Sequence, residues 1–172
     1  MYEGEPLVRR IAAAAVEAGA DPVVVVLGAN WEMIAPALLG LTPVTIALNL
    51  EWSKGLASSL ATGLSTIVAM TPCDAALVTL ADQPLVDVAA LRGLIAAFDS
   101  ERRIVASAYD DTVGVPALFG HEHLDALMQL TGDAGAGSWL RSRPHDEVTR
   151  IPLGVAALDI DTRSDAEQLS GY

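Results

Sequence analysis

Hydrophobic positions along the chain follow two periods, and their alternation predicts the elements. Residues 6–19, PLVRRIAAAAVEAG, carry apolar side chains at helical spacing up to Gly19, so they predict a helix ended by a glycine. Val23 to Leu27 is then a continuous apolar, β-branched run, the pattern of a strand buried on both faces. After the turn Gly28-Ala29-Asn30, the same reasoning predicts a helix over 31–39, a strand at Val44–Leu48 and a loop over 49–55. A longer helix over 56–70, a strand at Ala76–Ala81 and a helix from Val88 to Phe98, capped by Asp87, follow. Such alternation argues for an α/β fold with a mostly parallel sheet and helices on both faces. From residue 103 the pattern changes: short strands at 103–108 and 115–119 flank Asp110-Asp111-Thr112, a hairpin-like signal. Helices near 121–130 and 135–143 come next, then strands at 148–152 and 155–160 and a last helix over 163–169. With no internal repeat or linker in 172 residues, a single domain over 1–172 is expected.

Charge narrows the function. Twenty-two acids against ten bases give a net charge of -12 with no basic cluster, which argues against a nucleic-acid partner. A phosphate-bearing substrate would need a local remedy, such as a divalent cation or a helix amino terminus. The lone Cys73 has no partner for an internal disulfide and reads as core packing. No apolar run reaches the roughly 20 residues that a membrane span requires, and residues 1–10 lack a signal-peptide core. A soluble cytoplasmic protein is the expectation.

Several segments carry candidate chemistry. In VTLADQPLV, residues 78–86, an apolar strand gives way to Asp82, with Gln83 and Pro84 directly after it. A proline cannot donate to a sheet, so the strand must end there, which puts Asp82 at the edge where open parallel sheets bind ligands. The loop NLEWSKG, residues 49–55, leads into LASSLATGLSTI, so Ser53, Gly55, Ser58 and Ser59 surround a helix start able to meet an anion. Ser53 serves equally well as an N-cap. Lys54, the only lysine, reads as a phosphate contact or a solvated surface residue, and Trp52 as a stacking platform or a rim packing residue. In VAALDIDTRSD, residues 155–165, the period of a strand would turn Asp159 and Asp161 to the same side. Hard oxygen ligands of that kind hold Mg²⁺, although Asp161 and Thr162 would also serve as a helix cap. Gly132 and Asp133 in LTGDAGAGSWL fit either a cap or a substrate contact. The histidines of HEH, residues 121–123, read as surface residues, since i and i+2 face apart on a helix.

Taken together, GANWEMI, NLEWSKGLASSLATGL, TLADQPLV, VGVPALF, LTGDAGAGSWL and DIDTRSDAEQL resemble the MocA-like nucleotidyltransferases, those related to molybdenum cofactor cytidylyltransferase. The resemblance runs over nearly the whole chain. It implies a Rossmann-like, three-layer α/β/α sandwich of the nucleotide-diphospho-sugar transferase type. It also implies Mg²⁺-dependent transfer of a nucleotide, CMP from CTP in first place and GTP as the other donor, to a phosphorylated molybdopterin-type acceptor. On this reading Asp82 and Asp161 are catalytic, and Asp82 with Asp159 or Asp161 holds the metal. Asn49, Trp52, Gly55, Ser58, Ser59, Gln83, Pro84, Gly132 and Asp133 form the substrate pocket.

The chain departs from the family in one respect: it holds no segment of the form LAAGxSxRMGxxK and begins at MYEGEPLVRR. A first strand and a glycine-rich triphosphate loop are therefore expected to be missing from these residues. Two alternatives accompany the main reading. One is an inactive relative that binds molybdenum cofactor or a molybdoenzyme partner as a maturation factor. The other is transfer to a different small phosphorylated acceptor; a homodimer is compatible with each.

Overall fold

The computed structural model describes residues 1–99 and 103–158 of the 172-residue chain. Its first helix, α1 (Leu7–Ala18), ends as its sequence requires: Gly19 takes φ 100° and returns its N–H to the carbonyls of Ala15 and Val16. β1 (Val23–Leu27) pairs in parallel with β2 (Val44–Leu48), and between them lie the short α2 (Trp31–Ile34) and a 3-10 turn, Ala35–Leu38. α3 (Leu56–Met70) and β3 (Ala75–Val78) follow, then α4 (Val88–Ala97), whose cap is Asp87, accepting from the Ala90 N–H at 2.8 Å. β4 (Ile104–Tyr109) and β5 (Thr112–Gly120) form a hairpin, with Asp110 and Asp111 both at positive φ, the geometry of a two-residue turn. α5 (His121–Met128), α6 (Ala136–Arg141) and β6 (Thr149–Pro152) complete the described elements. Among the described residues no helix is long and apolar enough to cross a membrane.

The strands fall into two sheets, β1-β2 and β3-β5-β4-β6. In the second, β5 runs antiparallel to β3 and β4, and β6 is parallel to β4. Helices cover both faces, as the period-two alternation of the strands shows. Ala76, Ile104, Ala106, Val115, Ala117 and Phe119 point into a core shared with Leu64 of α3 and Leu124 and Leu127 of α5. Val105 and Leu118 point the other way, against Leu94 of α4. A third core joins Ile11 and Ala15 of α1 to Val23, Val86 and Leu91.

Between the two sheets lies a cavity of about 580 Å³, with Val23–Val26 on one side and Leu77–Ala81 on the other. Its presence explains two departures from expectation. Val24, Val25 and Val26 are only half-buried rather than enclosed on both faces. The strand predicted to reach Ala81 stops at Val78, because Thr79–Ala81 face the cavity and, among the described residues, have no neighbouring strand to pair with. Kept dry, a void of that size would cost on the order of 10 kcal/mol, comparable to the stability of a whole domain.

β5 also carries a bulge. Its pairing with β4 jumps from Ala106–Ala117 to Ser107–Gly114, leaving Val115 and Pro116 unopposed, and the buried Ser107 Oγ donates to the Pro116 carbonyl at 2.7 Å. Cys73 packs half-buried against the main core, in line with a structural role. Near β5's end, Arg103 clasps Glu122 through two bonds of 2.7 and 2.6 Å.

That hydrogen bonding from Arg103 holds the Glu122 carboxyl down to about 2. Because the folded value lies below the unfolded one, the ion pair's contribution is complete above about pH 4.5 and is lost as pH falls toward 2. Both side chains are one-third to one-half exposed, so solvent screening keeps the contribution small. Glu122→Gln should lower the melting temperature slightly at pH 6 and leave it equal to that of the parent near pH 2. Thermal scans across that range check this.

Candidate functional site

The site is built around the start of α3. Asn49 leaves the end of β2 with its N–H bonded to the Leu27 carbonyl at 2.8 Å, and its side chain is buried. The amide Nδ2 donates to Ser58 Oγ at 2.8 Å and Ser59 Oγ at 3.0 Å, while Oδ1 accepts the Glu51 N–H at 2.9 Å. One side chain thus staples loop 49–55 to the first turn of α3. Ser58 Oγ passes its own proton to the Gly55 carbonyl at 2.8 Å. Ser53, a candidate cap, lies instead in a 3-10 turn, Trp52–Lys54, and the N-cap position belongs to Gly55.

Gly55 has φ 105° and ψ 177°, a conformation open essentially to glycine alone. A Cβ there would lie 2.3 Å from the Gly132 carbonyl oxygen and 2.7 Å from Asp133 Oδ1. The same approach lets the Ala57 N–H donate to the Gly132 carbonyl at 3.0 Å. Gly135 sits equally close to Leu56, where a Cβ would be 2.6 Å from its Cδ2. The loop LTGDAG therefore lies directly on the α3 start, and two segments 77 residues apart, Gly55 and Gly132, form one surface.

Trp52 is half exposed. Its Cβ rests on Gly28, where an added Cβ would be only 2.6 Å away, so the GANW turn and the NLEWSKG loop are locked face to face. Lys54 is engaged by Glu51 on the surface. Of HEH, His121 and Glu122 are exposed, and His123 tilts against Trp139 at 5.6 Å between centroids.

Asp82 lies in the turn after β3, four residues beyond the strand end, half-buried. The turn itself is rigidly held. Gln83 is buried and its Nε2 donates to the carbonyls of Val115 at 3.1 Å and Ala156 at 2.8 Å. Arg10, which the sequence did not single out, donates from Nε to the Pro84 carbonyl at 2.9 Å and stacks over Tyr2. Gln83 and Pro84 thus fix the backbone on either side of the acid's turn. Ala81, the residue before Asp82, lines the same cavity as Ser59 and Asp133. Ser138 and Arg141 of α6 add a hydroxyl and a cation to its wall; sequence alone gave no signal for either.

For the second metal ligand, the expected strand at 155–160 is a correction: Gly154–Ala157 forms a 3-10 helix, so the period-two argument for Asp159 and Asp161 lacks its strand. Asp159, Asp161 and the predicted helix over 163–169 lie outside the described residues. Among the described residues, no three His, Cys, Asp or Glu side chains group as a metal site. Asp82 alone still suits Mg²⁺, which commonly takes one or two protein carboxylates and fills its remaining positions with water and substrate phosphate.

With this geometry in view, comparison with known proteins identifies the family. Residues 1–148 match the MobA-like NTP transferase domain. The chain belongs to that family. It is 32% identical over 152 residues to nicotine blue oxidoreductase of Paenarthrobacter nicotinovorans, which covers 83% of this chain and 72% of that protein. Among solved structures it is similar to Rv0371c of Mycobacterium tuberculosis H37Rv, with TM-score 0.76 and 27% identity, over 96% of this chain and 84% of the other. Rv0371c is also known as a manganese complex, TM-score 0.72 at 23% identity, over 100% and 90%. A nucleotidyl transferase from Methanothermobacter shares the fold at TM-score 0.81 and 22% identity, over 99% and 82%. The α/β architecture is thus that of the nucleotide-diphospho-sugar transferase-like proteins.

Gly55→Ala should separate the two loops, since both the backbone angle and the contact with Gly132 forbid a Cβ. A loss of about 1–3 kcal/mol is expected, and nucleotide affinity should fall with it. Denaturant unfolding and titration calorimetry with a nucleoside triphosphate report the two effects separately.

Proposed function

We propose that this MobA-like domain transfers a nucleotide, CMP from CTP in first place, to a phosphorylated molybdopterin-type acceptor. The observation that supports this most is that Ala81 beside Asp82, Ser59 of α3 and Asp133 of the glycine-rich loop all line one cavity. An acceptor phosphate oxygen attacks the α-phosphorus in line. The new P–O bond forms as the bond to the departing pyrophosphate breaks, so no covalent protein intermediate is needed. Asp82 is the carboxylate that would hold Mg²⁺, with Asp159 or Asp161 as the second ligand; when bound, the ion would supply charge neutralisation for the phosphates. Asn49 keeps the α3 start and its serines in position for the nucleotide, and Gly55 and Gly132 keep the two loops close enough to share it. Gln83 and Pro84 act by positioning Asp82, and Trp52 offers a half-exposed ring at the rim. GTP is the other donor and a different small phosphorylated acceptor the other substrate. A cytoplasmic setting suits such phosphorylated metabolites.

The test is pyrophosphate release from CTP or GTP, with and without Mg²⁺ or Mn²⁺ and a molybdopterin-type acceptor. Release that needs both metal and acceptor supports the reading. Nucleotide or cofactor bound without turnover favours a carrier or molybdoenzyme maturation role instead. Because one relative is named an oxidoreductase and one fold hosts several chemistries, the assay includes reduction of nicotine blue. Reduction without pyrophosphate release would overturn nucleotidyl transfer.

Asp82→Asn removes the charge and keeps the shape. It should lower the transfer rate by about 100-fold or more and move the melting temperature by less than about 3 °C. Activity retained alongside a large loss of stability would make Asp82 a structural residue.

A further inference from the structure

We propose that the outer edge of β2 is a self-pairing surface, on which a second copy of this chain docks its own β2 antiparallel, across a two-fold axis through Ile46. The proposal is independent of the catalytic reading, since Val44, Ile46 and Leu48 lie outside the site. Among the described residues β2 has one neighbour, β1. The Asn49 N–H donates to the Leu27 carbonyl, so in this parallel ladder Thr45, Ala47 and Asn49 turn their backbone groups toward β1. Val44, Ile46 and Leu48 turn theirs outward. Among the described residues nothing pairs with them, which leaves three donors and three acceptors along a strand edge. The side chains of the same three residues share the sheet face that holds Val25 and Leu27. On that face α2 and the 3-10 turn bring Ile34, Ala35 and Leu38 over Leu27 and Val44. The cover is short, because α2 has only four residues, and Ile46 and Leu48 remain 39% and 43% exposed. Met33 and Leu39, on the crossover itself, are 81% and 75% exposed.

Charge selects the occupant. From Met33 to Leu50, between Glu32 and Glu51, the chain carries no Asp, Glu, Lys, Arg or His. Edge strands are ordinarily guarded by a lysine or another charge, and this one is not. Two copies that each carry a net charge of -12 repel one another, and a contact centred on a charge-free segment is the one least opposed. The edge also complements itself. With Ile46 on the axis, Ile46 faces the second copy's Ile46 and Val44 faces the second copy's Leu48, so every opposed pair is apolar and each outward N–H meets an outward carbonyl. Because both copies use the same patch, the contact closes at two.

Sedimentation velocity on the full chain, over a concentration series, reads the assembly, and hydrogen exchange reads the face it uses. The expected result is a monomer–dimer equilibrium that tightens as salt screens the repulsion. With rising concentration the amides of Val44, Ile46 and Leu48 should exchange about 10-fold or more slowly. Those of Thr45, Ala47 and Asn49, already held by β1, should not change. Ile46→Lys sets like charges opposite each other on the axis; it should weaken the dimer by about 100-fold or more and leave the far-ultraviolet circular dichroism unaltered. A chain still monomeric at about 100 μM, an assembly larger than two, a dimer that weakens with salt, or one that Ile46→Lys does not touch would overturn the proposal. So would protection of Val44, Ile46 and Leu48 at every concentration, which would mean that another part of the same chain covers the edge. If Ile46→Lys does not fold, the alternating, concentration-dependent protection of the parent chain decides by itself, and its absence counts against the surface.

Discussion

Among the described residues the two sheets share no ladder hydrogen bonds, so the relative position of β1-β2 and β3-β5-β4-β6 is set by helices that touch both. α1 packs Ala12 with Leu27 on one side and Ile11 with Val86 and Leu91 on the other. α3 brings Gly63 to within contact of Val26, a Cβ there lying 3.0 Å from its Cγ2, and Leu64 into the core with Ala76. The apolar faces of these helices are small-residue rich for that reason: a bulkier side chain would move one sheet against the other. Every distance within the candidate site inherits this constraint, since Asn49 belongs to the first sheet and Asp82 follows the second.

The site combines two kinds of rigidity. Asn49 fixes its loop by satisfying three partners from one buried amide, and Gly55 fixes the neighbouring loop by having no side chain at all. The first depends on hydrogen bonds that are strong because water is excluded from them. The second depends on steric contact, which neither salt nor pH alters. A pocket so held presents its serines and Asp133 in a nearly constant arrangement, while the protein's net charge of -12 leaves any anionic ligand dependent on local compensation.

Much of this was legible in the sequence because it is encoded locally. α3 has the predicted limits, Leu56–Met70; Gly19 ends α1, Asp87 caps α4, and Asp110-Asp111 turns the hairpin. What escaped was nonlocal. The β3 limit depends on whether a neighbour pairs with Thr79–Ala81, and period alone cannot report that. Gly154–Ala157 is a 3-10 turn where a strand was expected, though VAAL alternates poorly enough to have warned of it. Arg10, Ser138 and Arg141 act through contacts with residues far along the chain, so their roles have no sequence signature. Gln83 and Pro84 were singled out as part of the pocket; the structure shows them holding the turn in which Asp82 sits.

Pro116 occupies β5, a strand paired on both sides, where a residue without an N–H is ordinarily excluded. The bulge that leaves Val115 and Pro116 unopposed, together with the Ser107 hydroxyl on the Pro116 carbonyl, makes the position tolerable. It also works as a register lock. Sliding β5 by one residue would bring the proline opposite a donor-seeking neighbour and exchange Phe119 with Leu118 between the two faces of the sheet. The hairpin is thereby confined to one alignment, and Gly114 and Val115 reach the cavity wall at one height only.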